Sequence, residues 1–426
     1  MTRLDTDLII AGGGLAGATL ALALTRAVPK LRVTVVEAFP LAADALPEDY
    51  QPSYDARSTA LSWGSRQIFQ ELGLWQRLSE HATPIRHIHV SDRGRFGATR
   101  LNAAEHQQEA LGFVADNRWM GLCLMRELLA TGVQWQAPSE VLDMTSEPDG
   151  VRVTLKTGDD THQLSAQCLV VADGGRSGLR EKLGFQVRHR NYDQNALIAN
   201  VSTSDSHGFC AFERFTDAGP MALLPQGSSQ RAGHQSALVW TLTDDALAEL
   251  LALSDADKCE RLQARFGWRL GRFNRIGDCS HYPLTLSTVD EPVRPGVALV
   301  GNAAHALHPV AGQGFNLALR GLMTLVEQFR LAVEQGQSLG SLRVLRRYQE
   351  LHRTDWQQTV QFSDSLIRLF GPSPQPLAVA RDAGLVGLDL LPGAKRWFAR
   401  KAMGVGGRRA VIHKPTSPQG ESASHD

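Results

Sequence analysis

The chain has 426 residues, 43% of them hydrophobic, enough to bury the core of one large domain or two interlocked ones, which excludes a disordered or fibrous class. Lys plus Arg and Asp plus Glu both number 44, so no overall field selects nucleic acid or an anionic surface, and partners must be recognised locally. The five cysteines are scattered and form no CxxC pair, which speaks against a disulfide framework or a thiolate metal site.

The N-terminus shows no charged leader followed by an apolar stretch and a cleavage site, so a cytoplasmic protein is expected. No apolar run approaches the ~20 residues that span a bilayer. The apolar-rich stretch from Leu377 to Leu391 is interrupted by Arg381, Asp382 and Asp389. Any contact with a membrane surface is therefore expected to be peripheral, through an apolar substrate.

The first segment, DTDLIIAGGGLAGATLALALTRAVPKLRVTVVEAF, reads as strand, glycine turn, helix and strand. Within it stands Gly12-x-Gly14-x-x-Gly17. Gly12 permits the tight turn, Gly14 lets backbone approach a pyrophosphate, and Gly17 allows the helix to pack on the strand. Glu37 closes the second strand, where a carboxylate can accept from ribose hydroxyls. A bare glycine pattern also arises from packing alone, but the strand context and Glu37 favour dinucleotide binding. The motif leaves NAD and FAD both open.

Pro40 to Tyr54 reads as a loop, and helical patterns follow over 63–72 and 116–129. A strand-like stretch over 141–171 contains a hairpin turning at Gly158-Asp159-Asp160. It ends in LVVADGGRSGLR, where an apolar strand delivers Asp173 and Gly174 to its end. Alone, this motif is equally an ordinary strand-to-helix turn capped by Asp173. Further strand-like runs between 195 and 286 are interrupted by one helical insert at about 246–266. They predict a second, sheet-based domain inserted into the first.

The third segment, GVALVGNAAHALHPVAGQGFNLALRG, puts Gly301 and Asn302 at a strand end. Gly312, Gln313 and Gly314 then lead into a helix that carries Asn316. Small residues at a helix N-terminus let backbone N–H groups reach a ligand carbonyl or a developing anion, such as the N1–C2 edge of a reduced flavin. Helices are predicted over 314–332 and 339–362, and the Gly-, Ser- and Pro-rich tail from Gly404 is expected to be disordered.

Together these elements resemble the flavoprotein monooxygenases of the para-hydroxybenzoate hydroxylase fold. The resemblance is nearest to the ubiquinone-biosynthesis hydroxylases of the 2-polyprenyl-6-methoxyphenol hydroxylase branch, and it runs to about Gly404 through IHVSDRG, AFERFTDAGPMALLPQ, ALVWTL and FGWRLGRF. It implies a mixed α/β fold: a Rossmann-like FAD-binding domain over 1–190 and 280–335, a β-sheet substrate domain over 191–279, C-terminal helices over 336–403, and a disordered tail over 404–426. It implies FAD held by Gly12, Gly14, Gly17, Glu37, Arg57 of DARSTAL, Asp173, Gly301, Asn302, Gly312, Gln313, Gly314 and Asn316. Asn302 departs from the Asp usual after the glycine of the third motif, although it looks usual for this branch; its amide oxygen can still accept from a ribityl hydroxyl. Gly121 stands where many relatives carry a flavin-touching Gln or Arg, so no contact is expected there.

The implied reaction is hydroxylation of a polyprenylated phenol, with NAD(P)H as transient donor and O2 activated as a flavin C4a-hydroperoxide, oxygen chemistry that belongs to the cofactor. Only one glycine fingerprint is evident, in keeping with a nicotinamide that is not held in a second Rossmann domain. Other ubiquinone-biosynthesis proteins are potential partners. No residue identifies itself as the phenol activator. Tyr282, His305 and His308 are the candidates, each more readily explained as packing, while Arg214 reads as a cross-strand partner of an acid, and Phe209, Phe212, Phe215 and Trp240 as core. Competing readings are hydroxylation of another ring position or phenol, a reductase or dehydrogenase of similar architecture, and a flavin-binding scaffold without turnover.

Overall fold

The computed structural model describes residues 4–40, 50, 57–95, 97–175, 177–216, 219–227, 234–307, 312–370 and 384–410. Most of the expected 40–54 loop therefore lies outside the described residues. The main helices are α1 (Leu15–Ala27), α2 (Trp63–Glu71), α3 (Asn117–Leu129), α4 (Asp244–Leu251), α5 (Asp255–Phe266), α6 (Gln313–Glu334), α7 (Leu342–Phe370) and α8 (Pro392–Ala402).

The fold is mixed α/β, as the sequence predicts. A six-stranded sheet runs in the order 293–294, 297–299, 168–171, 8–11, 33–36 and 134–136. From 297–299 to 134–136 its neighbours pair in parallel. Its central strands, LIIA, VTVV and CLVV, are buried at every position, the pattern of a parallel sheet covered on both faces. One face packs against α1, α3 and α6 in the largest hydrophobic cluster. The other carries a three-stranded antiparallel sheet, whose Val151, Val153 and Leu155 pack against Ile9, Leu169 and Val171. The predicted hairpin is present in that sheet, pairing 150–157 with 160–166, and Gly158 has a left-handed φ of 60°, which glycine adopts at no steric cost.

A nine-stranded sheet forms the second layer. It contains 187–203, 210–216, 219–226, 235–242, 273–276 and 280–289, and it also draws in 87–92, 98–102 and 305–306. The 87–92 strand joins by parallel pairing with 210–215. The expected single helical insert is two helices. Thr243 caps α4 and Ser254 caps α5, each side chain accepting a backbone N–H from three residues on, and a new N-cap starts a new helix. Both helices cover the face of the sheet that carries Leu197, Leu223, Leu238 and Trp240.

Residues 404–410 depart from the expected disordered tail. The Gly64 N–H donates to the Met403 carbonyl at 2.8 Å, Arg408 pairs with Glu327 and Arg409 with Glu71, and Ala410 is buried. These contacts hold the start of the tail against α2 and α6. Residues 411–426 lie outside the described residues.

Candidate functional site

Three strand ends meet at one edge of the six-stranded sheet. The Ala172 N–H donates to the Ala11 carbonyl at 2.7 Å and the Val300 N–H to the Val171 carbonyl at 3.0 Å, so the turns after 8–11, 168–171 and 297–299 are neighbours. Gly12, Asp173 and Gly301, far apart in sequence, thus lie together at the carboxyl ends of parallel strands, where open α/β sheets bind ligands.

The glycines of the first turn differ in why they are glycine. Gly12 has a φ of 103°, and a Cβ there would lie 2.8 Å from the Ala172 carbonyl oxygen. A Cβ on Gly17 would lie 1.9 Å from the Gly12 carbonyl oxygen, which locks α1 onto the turn. Gly14, the N-cap of α1, has nothing within 4 Å of such a Cβ. No side chain caps α1, so its first N–H groups are available to an acceptor from outside the helix. The Glu37 carboxylate accepts from the Gly13 N–H at 2.6 Å and the Phe39 N–H at 3.1 Å. These two bonds orient it beside the turn and leave lone pairs for further donors. Trp135 also closes this corner, its ring 2.8 Å from where a Gly13 Cβ would stand; nothing in the sequence links it to the turn.

In the second turn Asp173 accepts from the Gly175 N–H at 2.8 Å and from the Ser177 hydroxyl. It therefore holds its own loop, which passes Gly174 and Gly175 at φ of 74° and 72°. Arg180, buried behind the loop, donates to the Ala303 carbonyl at 3.0 Å and pairs with Glu181 at 2.8 Å. The second and third turns are thereby tied to one another.

Gly301 has a φ of 58°, and a Cβ there would touch Ala16 of α1 at 3.5 Å and Ala318 of α6 at 3.9 Å. The two helix N-termini thus flank this turn. Asn302 is exposed beside it. Gly312 takes a left-handed φ of 60° as the N-cap of α6, which also has no side-chain cap. A Cβ on Gly314 would meet nothing within 4 Å. Gln313 is buried.

Asn316 is fully engaged by the protein. Its Oδ1 accepts from the Ser62 N–H at 2.8 Å and the Ser65 hydroxyl at 2.7 Å, and its Nδ2 donates to the Ala60 carbonyl at 2.8 Å and the Gly312 carbonyl at 2.7 Å. Those are all the hydrogen bonds a carboxamide can make. It latches α6 to the 58–62 strand and α2, a link across 254 residues of sequence with no local signal.

The 58–62 strand brings the second layer to the cradle. Ala60 packs with Leu224 and Ala211, and Gln226 donates to the Ser58 hydroxyl. Burial raises the Tyr282 pKa, and the charge of Arg57, exposed at the start of the 58–62 strand, offsets this only in part. Residues paired across strands share a sheet face. Tyr282 opposes Ala196, Val239 opposes Ala222, and Ala222 opposes Glu213, so the face turned away from α4 and α5 carries Tyr282, Ile198, Val239, Ala222 and Leu224. Ile198, Val239 and Leu224 are only half-buried there, whereas Leu197, Leu223 and Leu238 on the helix-covered face are completely buried. This inner face is a mostly apolar wall that the protein covers only in part.

Of the remaining candidates, His305 stacks on Trp356 with centroids 4.4 Å apart. Burial, with a smaller contribution from nearby His352, pushes its pKa down to about 3, so it packs as a neutral ring. His308 lies outside the described residues. Arg214 lies 6.0 Å from the centre of the Phe266 ring, with burial as the main cause lowering its pKa and Asp92 pulling the other way. Phe215 and Trp240 are buried, and Phe212 packs edge-on against Phe266 at 5.6 Å. Phe209 lies under the Arg86 guanidinium at 4.5 Å. Gly121 has nothing within 4 Å of an added Cβ. Among the described residues, no helix is long and apolar enough to cross a membrane.

Comparison with known proteins gives the same architecture a family. The profile of the FAD binding domain family matches residues 5–363. The chain is 35% identical over 403 residues to the ubiquinone hydroxylase UbiL of Rhodospirillum rubrum, covering 93% of this chain and 89% of that protein. It is 28% identical over 410 residues to the 3-demethoxyubiquinol 3-hydroxylase of Escherichia coli, covering 95% and 100%. Among solved structures it is similar to the p-nitrophenol 4-monooxygenase PnpA of Pseudomonas putida, with a TM-score of 0.76 at 19% identity, over 95% of this chain and 99% of that one. The chain belongs to the FAD binding domain family, as an FAD-dependent monooxygenase related to the ubiquinone hydroxylases.

Proposed function

We propose that this protein hydroxylates the aromatic ring of a polyprenylated phenol in ubiquinone biosynthesis, with NAD(P)H and O2 as co-substrates. The observation that carries the reading is the meeting of the Gly12, Asp173 and Gly301 turns beside a half-exposed apolar wall, in a chain that aligns over 93% of its length with a ubiquinone hydroxylase.

The residues fit FAD. The empty space beyond Gly14 and Gly314 lets backbone N–H groups at both helix ends approach a ligand closely, and Glu37 already stands beside the first turn. In this reading Gly12, Gly14, Gly17 and Glu37 bind the ADP half, and Asp173 shapes the loop by the pyrophosphate. Gly301 and Asn302 meet the ribityl chain. Gly312, Gln313 and Gly314 present the α6 N-terminus to the flavin ring, and Asn316 holds that terminus in place. Arg57 lies at the junction with the substrate wall. Bound FAD supplies hydride acceptance and O2 activation. The protein orients the phenol and keeps water away. Tyr282 stays protonated and donates a hydrogen bond to the substrate oxygen, and the apolar wall takes the ring and the start of the prenyl chain.

In this reading the FAD-binding part comprises 1–190 and 280–335, the substrate part 191–279 and the C-terminal helices 336–403, with strands 87–92, 98–102 and 280–289 crossing over to complete the substrate sheet. The protein works in the bacterial cytoplasm, peripheral to the inner membrane, where its substrate resides. The test is to purify the protein and follow NAD(P)H oxidation with O2 uptake. A yellow protein whose oxidation rate rises with an added prenylated phenol, with matched O2 consumption and a hydroxylated product, supports hydroxylation. Turnover of the substrate without O2 would identify a dehydrogenase, and colour without stimulated turnover would identify a scaffold. Mass spectrometry of the precursor that accumulates in a deletion strain then gives the ring position.

A further inference from the structure

The C-terminal helix α8 has two unlike faces. Ala399 and Met403 are buried, and Phe398 packs on Phe362 of α7 at 5.8 Å. The opposite face carries Trp397, which is 58% exposed, together with the exposed Arg396 and Arg400. Just before the helix, Leu390 and Leu391 are 72% and 60% exposed. Large apolar side chains so close together on a surface mark a contact site rather than ordinary surface scatter.

Basic residues outnumber acidic ones on this face, where the acids Asp389 and Glu105 are both paired with Lys395. From Pro392 to Ala410 the chain carries Lys395, Arg396, Arg400, Lys401, Arg408 and Arg409 and no Asp or Glu. Lys395 is neutralised by Glu105 and Asp389 at 3.3 and 3.5 Å, Arg408 by Glu327 and Arg409 by Glu71. Arg396 and Arg400 have no carboxylate partner among the described residues, and they flank Trp397. Arg100, also exposed, joins them at this end, since its backbone N–H donates to Asp389 at 3.0 Å.

We infer that Leu390, Leu391 and Trp397, with Arg396 and Arg400, dock the protein on an anionic phospholipid bilayer. Leucines enter the acyl boundary, a tryptophan ring lies at the headgroup level, and arginines pair with lipid phosphates. Self-association suits the face less well, because a two-fold contact would bring each arginine pair against its own copy. The face also spans the seam between the two layers. At one end the Thr99 hydroxyl donates to the Leu385 carbonyl at 2.7 Å on the edge of the nine-stranded sheet. At the other, Met403 and Gly404 pack on Gly64 and Ser62, beside the Asn316 latch. The geometry of the face is independent of the proposed reaction, and only the use of docking, access to a membrane-dissolved phenol, rests on it.

Co-sedimentation of the full-length holoprotein with vesicles tests this directly. Vesicles of equimolar phosphatidylcholine and phosphatidylglycerol should bind it at least about tenfold better than phosphatidylcholine alone, and added salt should reduce the difference. Leu390→Ser/Leu391→Ser/Trp397→Ser should lower binding roughly tenfold or more, with flavin content and thermal midpoint unchanged because these side chains are exposed. Arg396→Gln/Arg400→Gln should remove the preference for anionic vesicles and leave weak binding to both. Wild-type protein that stays in the supernatant with both vesicles, or a triple-serine variant that binds like wild type, would overturn the inference. So would a face that proves to bury a second copy, seen as a dimer abolished by the triple variant without any vesicle binding. Because these assays contain no phenol, failure here with intact phenol-stimulated turnover would remove the docking face and leave the proposed reaction standing.

Discussion

The guanidinium of Arg180 and the carbonyl of Ala303, separated by 123 positions in the chain, meet at 3.0 Å behind the cradle. The same guanidinium stands 2.6 Å from where a Gly175 Cβ would be. One buried side chain therefore sets the distance between the second and third turns. Arg180→Met keeps the volume and removes the donor, leaving a buried carbonyl unsatisfied at a cost of about 1–3 kcal/mol. The expected outcome is a lower urea midpoint together with weaker FAD retention, read from the ratio of flavin to protein absorbance in the purified variant. Unchanged values for both would show that the turns are spaced by something else.

Gly14 and Gly17 should fail in different ways. Open space surrounds the first and a backbone oxygen blocks the second, at 1.9 Å from an added Cβ. Gly14→Val should give a folded, colourless protein whose circular dichroism spectrum and apo thermal midpoint match those of wild-type apoprotein. Gly17→Ala should destabilise the apoprotein itself, by about 1–3 kcal/mol as overpacking does. A Gly14→Val protein that purifies fully yellow would displace the pyrophosphate from this turn.

Asn302 is exposed at the rim of the third turn, so Asn302→Asp adds charge without desolvation. Both side chains can accept from a ribityl hydroxyl. Titration of apoprotein with FAD should give a Kd within about threefold of wild type, under ~1 kcal/mol. A colourless variant would mean that the amide N–H donates an essential bond.

Acid should destabilise the folded protein through His352. Burial, only partly offset by the nearby charge of Asp355, pushes its pKa down to about 4, and it is buried against Gly321 of α6. The unfolded chain titrates near 6.5. Between those values the unfolded state binds a proton that the folded state refuses. Stability is therefore level above about pH 6.5 and falls as pH drops toward about 4, by up to ~1.4 kcal/mol per pH unit. His305, held lower still, adds a decline of the same sign. Urea titrations of His352→Gln at about pH 7 and about pH 5 should show a loss smaller than that of wild type by roughly 2 kcal/mol. An equal loss in both proteins would assign the acid sensitivity elsewhere.

Local pattern made the first layer legible. Apolar runs with glycine turns predict the 8–11, 33–36, 168–171 and 297–299 strands, and the small-residue lead-in predicts a helix from Gly314, one residue inside the observed start of α6 at Gln313. The Ser254 cap was also readable, with Asp257 three residues later donating its N–H, and would have split the 246–266 insert. Long-range arrangements left no such trace. The parallel pairing of 87–92 with 210–215 joins a segment that carries no strand reading of its own to one that reads as a short strand with no designated partner. Asn316 looks like a ligand residue in its motif, and only the fold shows that Ser62, Ser65, Ala60 and Gly312 use all of its capacity. The exposed face of α8 has no signature of its own in the sequence, because an amphipathic stripe does not say which side is covered.

On the proposed reading, the convergence of Gly12, Asp173 and Gly301 also sets when the cofactor can be captured. A ribosome that has released the first βαβ unit has made the glycine turn, but the turns it must neighbour come more than 150 residues later. The latch on Ser62 waits for Asn316. Contacts of such sequence separation form slowly and late, and chains of this length fold through intermediates. FAD retention therefore comes near the end of synthesis, and a nascent or truncated chain that stops before α6 will be colourless however well its first layer has formed.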